Sequence, residues 1–275
     1  MSGFLYQPLI VMFSLIMHQS YNQGQAFLDN TAMIRITFLD KLIDEWANLW
    51  IATWFVLGSI ALLVGFALTT EQTPLDLFYL MVSMLGLLCV VGLSFRKNRL
   101  GNGFGMAATA GEVIVQGTSG AVGLMLAPLF NFFTHAYALR YWSKNTDGDG
   151  QMIPKSATKQ VWLITILFLV VGLAAFPALN EFLTAQGFGI IQKDGSSFLG
   201  KIDFFWINVV AFVLSITAQI TMILRYSFNW WLWILVNAVW LIVNLMTGNV
   251  IFAIQSCIYQ INAIIGLYEW QRNAQ

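Results

Sequence analysis

Apolar residues recur along this chain in nearly unbroken windows of about twenty positions, the length a helix needs to cross a bilayer core. Seven windows are clear, at 46–68, 75–95, 120–142, 161–182, 204–224, 230–246 and 250–268. An eighth, at 101–117, is diluted by glycines and by Glu112. Before the first window, Ile34, Phe38, Lys41, Leu42 and Glu45 fit an amphipathic helix lying on the membrane surface and leading into the first span. The apolar stretch from Phe4 to Met17 does not read as a signal peptide, because it lacks a basic n-region and Pro8 interrupts it. The pattern predicts an all-α, polytopic membrane protein of eight transmembrane helices.

Composition agrees. Of the 275 residues 58% are hydrophobic and 9% charged, against roughly a quarter charged in soluble domains. The formal net charge of zero argues against a nucleic-acid partner. Basic residues decide the span count. With eight spans and a cytoplasmic N-terminus, inside segments hold eleven, namely Arg35, Lys41, Arg96, Lys97, Arg99, Arg140, Lys144, Lys155, Lys159, Arg225 and Arg272. Outside segments hold two, Lys193 and Lys201. Omitting the weak span would scramble that split, so both termini are expected in the cytoplasm. Cys89 and Cys257 both fall in apolar runs and read as buried hydrophobes. No HExxH, GxSxG, Walker loop or GxGxxG occurs, so nothing suggests an enzyme, a metal or a cofactor. Residues 145–150 imitate the opening of a calcium loop, but Ser156 stands where such a loop needs Glu, leaving a polar turn.

An internal repeat orders the spans. Asp76 and Asp203, and likewise Asn102 and Asn229, are 127 residues apart. Leu139-Arg140-Tyr141-Trp142 precedes Leu267-Tyr268-Glu269-Trp270 by 128, and Arg96 precedes Arg225 by 129. Spans two to four thus match spans six to eight, with span five as connector. Both triplets then enter from the same side, as parallel repeats do in some transporters. The expected parts are a surface segment (1–45), an extra N-terminal span (46–68) and a first three-helix bundle (75–142). A cytoplasmic loop, connector helix and external loop (143–202) follow, and then a second three-helix bundle (203–272).

Candidate chemistry sits on polar stripes inside these spans. Trp230, Trp233, Asn237, Trp240 and Asn244 recur at steps of three and four, which puts all five on one helix face. Carboxamides in hydrocarbon must face protein, water or a ligand. Such a stripe could hold a flat polar molecule, or it could be a packing seam with Asn as interhelical glue. The repeat offset favours binding. It aligns Trp233 with Gly105, Asn237 with Thr109, Trp240 with Glu112 and Asn244 with Gln116. The last helices of the triplets carry Asn131, Thr134 and His135, and Gln255, Tyr259 and Asn262. Thr109, Asn131, Asn237 and Tyr259 are expected near mid-bilayer, where alternating-access carriers bind. Glu112, the one acid this reading places inside a span, costs about 2.5–3.5 kcal/mol there. It could attract a cation, carry a coupling proton or pair with His135. His135 reads as a satisfied polar residue. Trp142 and Trp270, at helix ends, suit a membrane-interface belt.

These residues also carry a family resemblance. Asn229-Trp230-xx-Trp233-xxx-Asn237, after a short Arg-bearing turn, resembles the signature of the PnuC nicotinamide riboside transporters. Gly103-Phe104-Gly105 resembles the matching position of their first repeat, and Gly266-Leu267-Tyr268-Glu269-Trp270 their last span. The resemblance covers residues 75 to 272 and makes span one the family's extra N-terminal helix. It implies a three-plus-one-plus-three core related to the SWEET sugar transporters. It also implies facilitated uptake of the riboside across a bacterial inner membrane, and a homotrimer. Relatives that carry other flat vitamins such as thiamine, or sugars, share the fold. For a riboside, the three indoles could stack on the pyridinium. Asn237, Asn244, Gln255, Tyr259, Asn131, Thr109 and Gln116 could meet the carboxamide and ribose, and Glu112 could balance the charge.

Overall fold

The computed structural model describes residues 37–68, 72–118, 125–189, 197–198, 200, 202–248 and 250–275, and the statements below concern these. The calls on residues 1–36 lie outside them. Helix α1 (Thr37–Asp44) spans the boundary between an N-terminal unit ending at Leu42 and the unit Ile43–Gln275. The second unit holds α2 (Ala47–Leu68), α3 (Pro74–Ser94), α4 (Asn98–Thr118), α5 (Leu126–Trp142) and α6 (Lys159–Ala185). A two-residue hairpin follows, β1 (Ser197–Phe198) and β2 (Ile202–Asp203), then α7 (Phe204–Ile223), α8 (Asn229–Met246) and α9 (Val250–Arg272).

Six of these helices (α2, α3, α6, α7, α8 and α9) are long and apolar enough to cross a membrane, so the protein is a polytopic helical membrane protein. The two others that the hydropathy reading counted fall short for separate reasons. Helix α4 has 21 residues, but its glycines and Glu112 lower its apolarity. Helix α5 begins after its N-cap Met125 and has 17 residues, at the short limit for a span.

The acids of the repeat mark helix starts. At α3, Thr73 accepts from the Asp76 backbone N–H at 3.2 Å while the Asp76 carboxylate accepts from the Thr73 N–H at 2.9 Å. This reciprocal pair satisfies two otherwise orphaned donors. At α7, Asp203 accepts from the Phe205 N–H at 2.8 Å. Each first helix ends in the same way too. Arg96 and Arg225 have φ of 56° and 72°, and the next residue's N–H returns to a carbonyl five residues back, Lys97 to Gly92 and Tyr226 to Thr221. Glycine ordinarily takes that left-handed position. Arginine there costs on the order of 1 kcal/mol, which points to work for the guanidinium.

Packing follows the repeat. Helix α4 lies between α3 and α5, and α8 between α7 and α9. The two groups meet through α5 with α7 and α3 with α9, while α6 packs on α7 and α2 on α3 and α9. Gly266 lets α9 close on α8, since a Cβ there would sit 2.5 Å from the Trp230 ring. A Gly266→Val variant is therefore expected to lower the melting temperature of detergent-purified protein by roughly 5–10 °C, from an overpacking cost of about 1–3 kcal/mol. An unchanged melting temperature would show that the indole can move aside.

One core cluster lies at the end of the bundle that carries the two arginines. Trp142 and Trp270 are fully buried there, edge to face at 5.5 Å, with Trp230 edge-on to Trp270 at 5.7 Å. The expected interface belt at Trp142 and Trp270 is thereby corrected. Each indole N–H donates across the group boundary, Trp142 to the Ile223 carbonyl at 3.0 Å and Trp270 to the Leu93 carbonyl at 2.9 Å. Those bonds tie each last helix to the final turn of the other group's first helix, and lipid-facing rings could not make them.

Candidate binding cavity

The helices enclose a cavity of about 1320 Å³ lined by α3 through α9. It runs from Phe204, the first residue of α7, to Met222 near that helix's last turn, a rise of about 27 Å. At one end it meets Asn180, Glu181 and Thr184 of α6. At the other its floor is Leu93, Met222, Trp230 and Ala263, all members of the tryptophan cluster.

Trp230, Trp233, Asn237, Trp240, Asn244, Thr109, Glu112, Asn131, Gln255 and Tyr259 all line this one cavity. Only Gln116 among the candidates is not placed, since its side chain lies outside the described residues. The single stripe on α8 thus faces its counterparts on α4, α5 and α9. A set of independent seams would have pointed these side chains to different neighbours.

Their hydrogen bonding divides them into walls and free groups. Trp240 donates to Ser215 at 3.0 Å, Thr109 donates to the Gly105 carbonyl at 2.7 Å, and Asn244 reaches Ser256 at 3.4 Å. Gln255 donates to the Tyr259 hydroxyl at 2.6 Å, which leaves that hydroxyl's own proton for another partner. A Cβ on Gly86 would sit 2.1 Å from the same oxygen, so glycine there makes room for it. Asn131, Asn237 and Glu112 have no hydrogen-bond or ion-pair partner among the described residues, although Asn237 is only 7% exposed. The indole nitrogen of Trp233 is sealed and unpaired as well. Amides and a carboxylate free inside a largely buried cavity carry unmet hydrogen-bonding capacity that a polar guest would satisfy.

Sequence reasoning missed part of the lining. Tyr79, Asn208 and Ser215 border the cavity; Asn208 and Ser215 share one face of α7 with Gln219, at steps of seven and four. Gln219, a polar residue of span six that could join the site or only bridge helices, borders the cavity and donates to Thr134 at 2.8 Å, linking α7 and α5. The last predicted window, 250–268, stops one residue short of a buried acid. Glu269, 2% exposed on α9, accepts from Arg96 Nε at 2.7 Å. Arg96 Nη1 donates further to Asp147 at 3.1 Å and to the Met152 carbonyl at 2.9 Å. The polar turn at 145–150 thereby finds its place: the other oxygen of Asp147 accepts from the Asp149 and Gln151 N–H groups, holding the turn under Arg96. At the pseudo-equivalent corner Arg225 donates to the Ile153 carbonyl at 2.8 Å and lies over the Tyr141 ring at 5.1 Å. Nearby, Arg272 pairs with Asp44, and that hydrogen bond holds the carboxyl of Asp44 below its ordinary range.

A helical membrane bundle around a long cavity, walled by rings and amides and floored by the tryptophan cluster, has the architecture of a membrane carrier. No group of three metal-ligating side chains comes together among the described residues. The family profile of the nicotinamide mononucleotide transporters matches residues 76–272, and the chain belongs to that family. It is 26% identical over 245 residues to the nicotinamide riboside transporter PnuC of Haemophilus influenzae, covering 86% of this chain and 97% of that one. It is 26% identical over 203 residues to the protein of the same description from Neisseria mucosa, covering 69% and 70%. A crystal structure of the vitamin B3 transporter PnuC superposes with a TM-score of 0.61 at 21% identity, covering 83% of this chain and 91% of that one. That likeness concerns the fold.

Proposed function

We propose that the protein takes up nicotinamide riboside across a bacterial inner membrane by facilitated diffusion, alternating the access of its central cavity. The observation that carries the reading is the convergence on a single cavity of three indoles with two carboxamides and one carboxylate that have no partner among the described residues. A pyridinium riboside needs those groups: flat faces for the ring, amides for carboxamide and ribose, and one negative charge. The cavity exceeds the ~300–1,000 Å³ of ordinary ligand pockets, as expected of a site with a vestibule. The two relatives are described as transporters of the same molecule.

In this reading α3–α5 and α7–α9 are parallel repeats joined by α6, a three-plus-one-plus-three core with α2 as the extra helix, crossing eight times with both termini cytoplasmic. The arginine end is then the cytoplasmic gate, shut by the tryptophan cluster, and the cavity opens outward. The apolar surfaces of α2 and α6, with Val56, Leu57, Ile60, Leu163 and Leu167 exposed, face lipid or the neighbours in a homotrimer.

Glu112 tests the charge term. A carboxylate about 6 Å from a pyridinium contributes roughly 2–3 kcal/mol at an effective dielectric near 20. Glu112→Gln is therefore expected to weaken riboside binding about 30- to 100-fold in calorimetry, and to leave the affinity for an uncharged, reduced riboside nearly unchanged. Equal losses for both ligands would assign Glu112 a structural role. Saturable riboside uptake into proteoliposomes tests the function itself, and its absence would reject it.

A further inference from the structure

His135 has a more definite part than a satisfied polar residue. Its ring borders the cavity from α5, and its Nδ1 lies 2.9 Å from Asn102 Oδ1. Asn102 Nδ2 donates to Asn98 Oδ1 at 2.8 Å, and Asn98 Nδ2 donates to the Leu139 carbonyl at 2.9 Å. The direction of this relay follows from its last member. A backbone carbonyl can only accept, so the Asn98 amide must turn its nitrogen to Leu139 and its oxygen to Asn102. Asn102 in turn presents its oxygen to the imidazole, and Nδ1 must carry the proton. In the neutral ring the free lone pair is then on Nε2, which has no partner among the described residues.

Two further observations place that lone pair. Gly105 makes the room, since a Cβ at that position would sit 2.7 Å from Nε2. The repeat offset of 128 aligns Gly105 with Trp233 and His135 with Ala263. Ala263 and Trp233 belong to one packed cluster, and both line the cavity. One repeat therefore puts its ring on the middle helix beside a small residue on the last helix. The other repeat does the reverse. His135 is the counterpart of the Trp233 indole, with an acceptor nitrogen that the donor-only indole lacks.

We propose that His135 is a specificity residue of the cavity, its Nε2 held by the Asn102–Asn98 relay as a hydrogen-bond acceptor for an N–H or O–H donor on the cargo. This rests on the riboside reading above. The donors of such a cargo are its carboxamide N–H and its ribose hydroxyls. A carboxylate in place of the carboxamide would turn lone pairs toward Nε2 and leave both unpaired. Asn102 does not border the cavity and acts as a positioning residue.

The test combines ligand calorimetry with nitrogen-15 spectra of the purified full-length protein. Histidine labelling is selective here, because the chain has two histidines, and a His18→Gln variant assigns the signals. The spectrum of the otherwise unaltered protein is expected to show His135 protonated at Nδ1, and Asn102→Leu is expected to abolish that preference. Nicotinamide riboside should bind at least tenfold more tightly than nicotinic acid riboside. His135→Phe should lose tenfold or more for the amide together with most of that preference, and His135→Gln should restore part of it. Glu112 is present in all these proteins, so its repulsion of the carboxylate cancels in the comparison. Equal losses for both ribosides in His135→Phe would assign the donor to the ribose and uphold the acceptor. Protonation at Nε2, or identical affinities in the unaltered and His135→Phe proteins, would overturn the inference while leaving the riboside reading intact. Failure of the unaltered protein to bind either riboside would overturn both.

Discussion

Glu269→Gln is expected to lower the melting temperature of the detergent-purified protein by about 10 °C, the largest stability loss foreseen for a single change outside the cavity. Glu269 and Arg96 are almost wholly buried and their charged atoms lie 2.7 Å apart. Removing one member of a buried ion pair leaves the other charge desolvated, at a cost of roughly 3–5 kcal/mol. Asp147 compensates in part, since it also meets Arg96, but a third of its side chain is exposed and solvent screens that contact. Asp147→Asn is accordingly expected to shift the transition by less than half as much. Arg96→Gly offers a sharper contrast. It relieves the left-handed strain at position 96 and still abolishes the pair, so it should fall close to Glu269→Gln. If Arg96→Gly were neutral, backbone strain rather than the ion pair would dominate this corner.

The second large effect lies in the cavity. Trp233→Ala is expected to weaken nicotinamide riboside binding roughly 30-fold, from the loss of about 2 kcal/mol of desolvated cation–π contact. Its indole N–H has no partner among the described residues, so truncation orphans none of them. Asn237→Ala removes a carboxamide with no partner of its own among the described residues. At about 1–1.5 kcal/mol per hydrogen bond, its loss should cost about tenfold for one bond to cargo and nearer a hundredfold for two. Asn237→Ala should keep its melting temperature within a few degrees of the unaltered protein, whereas Trp233→Ala also loses the packing of its ring against two core clusters and should fall further, so Trp233→Leu serves as its packing control. Calorimetry on both therefore separates binding from folding. Unchanged affinity in the two together would remove the α8 stripe from the site.

Much of this site was legible because a helix writes its faces into the sequence at steps of three and four. Trp230 to Asn244 could be read as one face, and the repeat offset carried that face to Thr109, Glu112 and the last helices. The polar turn at 145–150 was equally plain from the missing Glu. Other features depend on which helix lies opposite, and that has no local signature. Trp142 and Trp270 near helix ends satisfy the rule for interface residues and the rule for a buried plug alike. Only the carbonyls of Ile223 and Leu93 decide between them. Glu269, one position before the helix-ending Trp270, carries no local mark of burial, and Arg96, 173 residues away, accounts for it. Asn208 and Ser215 were missed because Ala211 and Phe212 stand between them on their shared face of α7 and break the stripe that Gln219 continues.

Structure determination with nicotinamide riboside present tests the central claim most directly. Density for one riboside is predicted between α4, α5, α8 and α9, its pyridinium against Trp233 and its polar edge within hydrogen-bond reach of Asn237. Riboside density anywhere else, or an empty cavity at saturating ligand, would contradict the account.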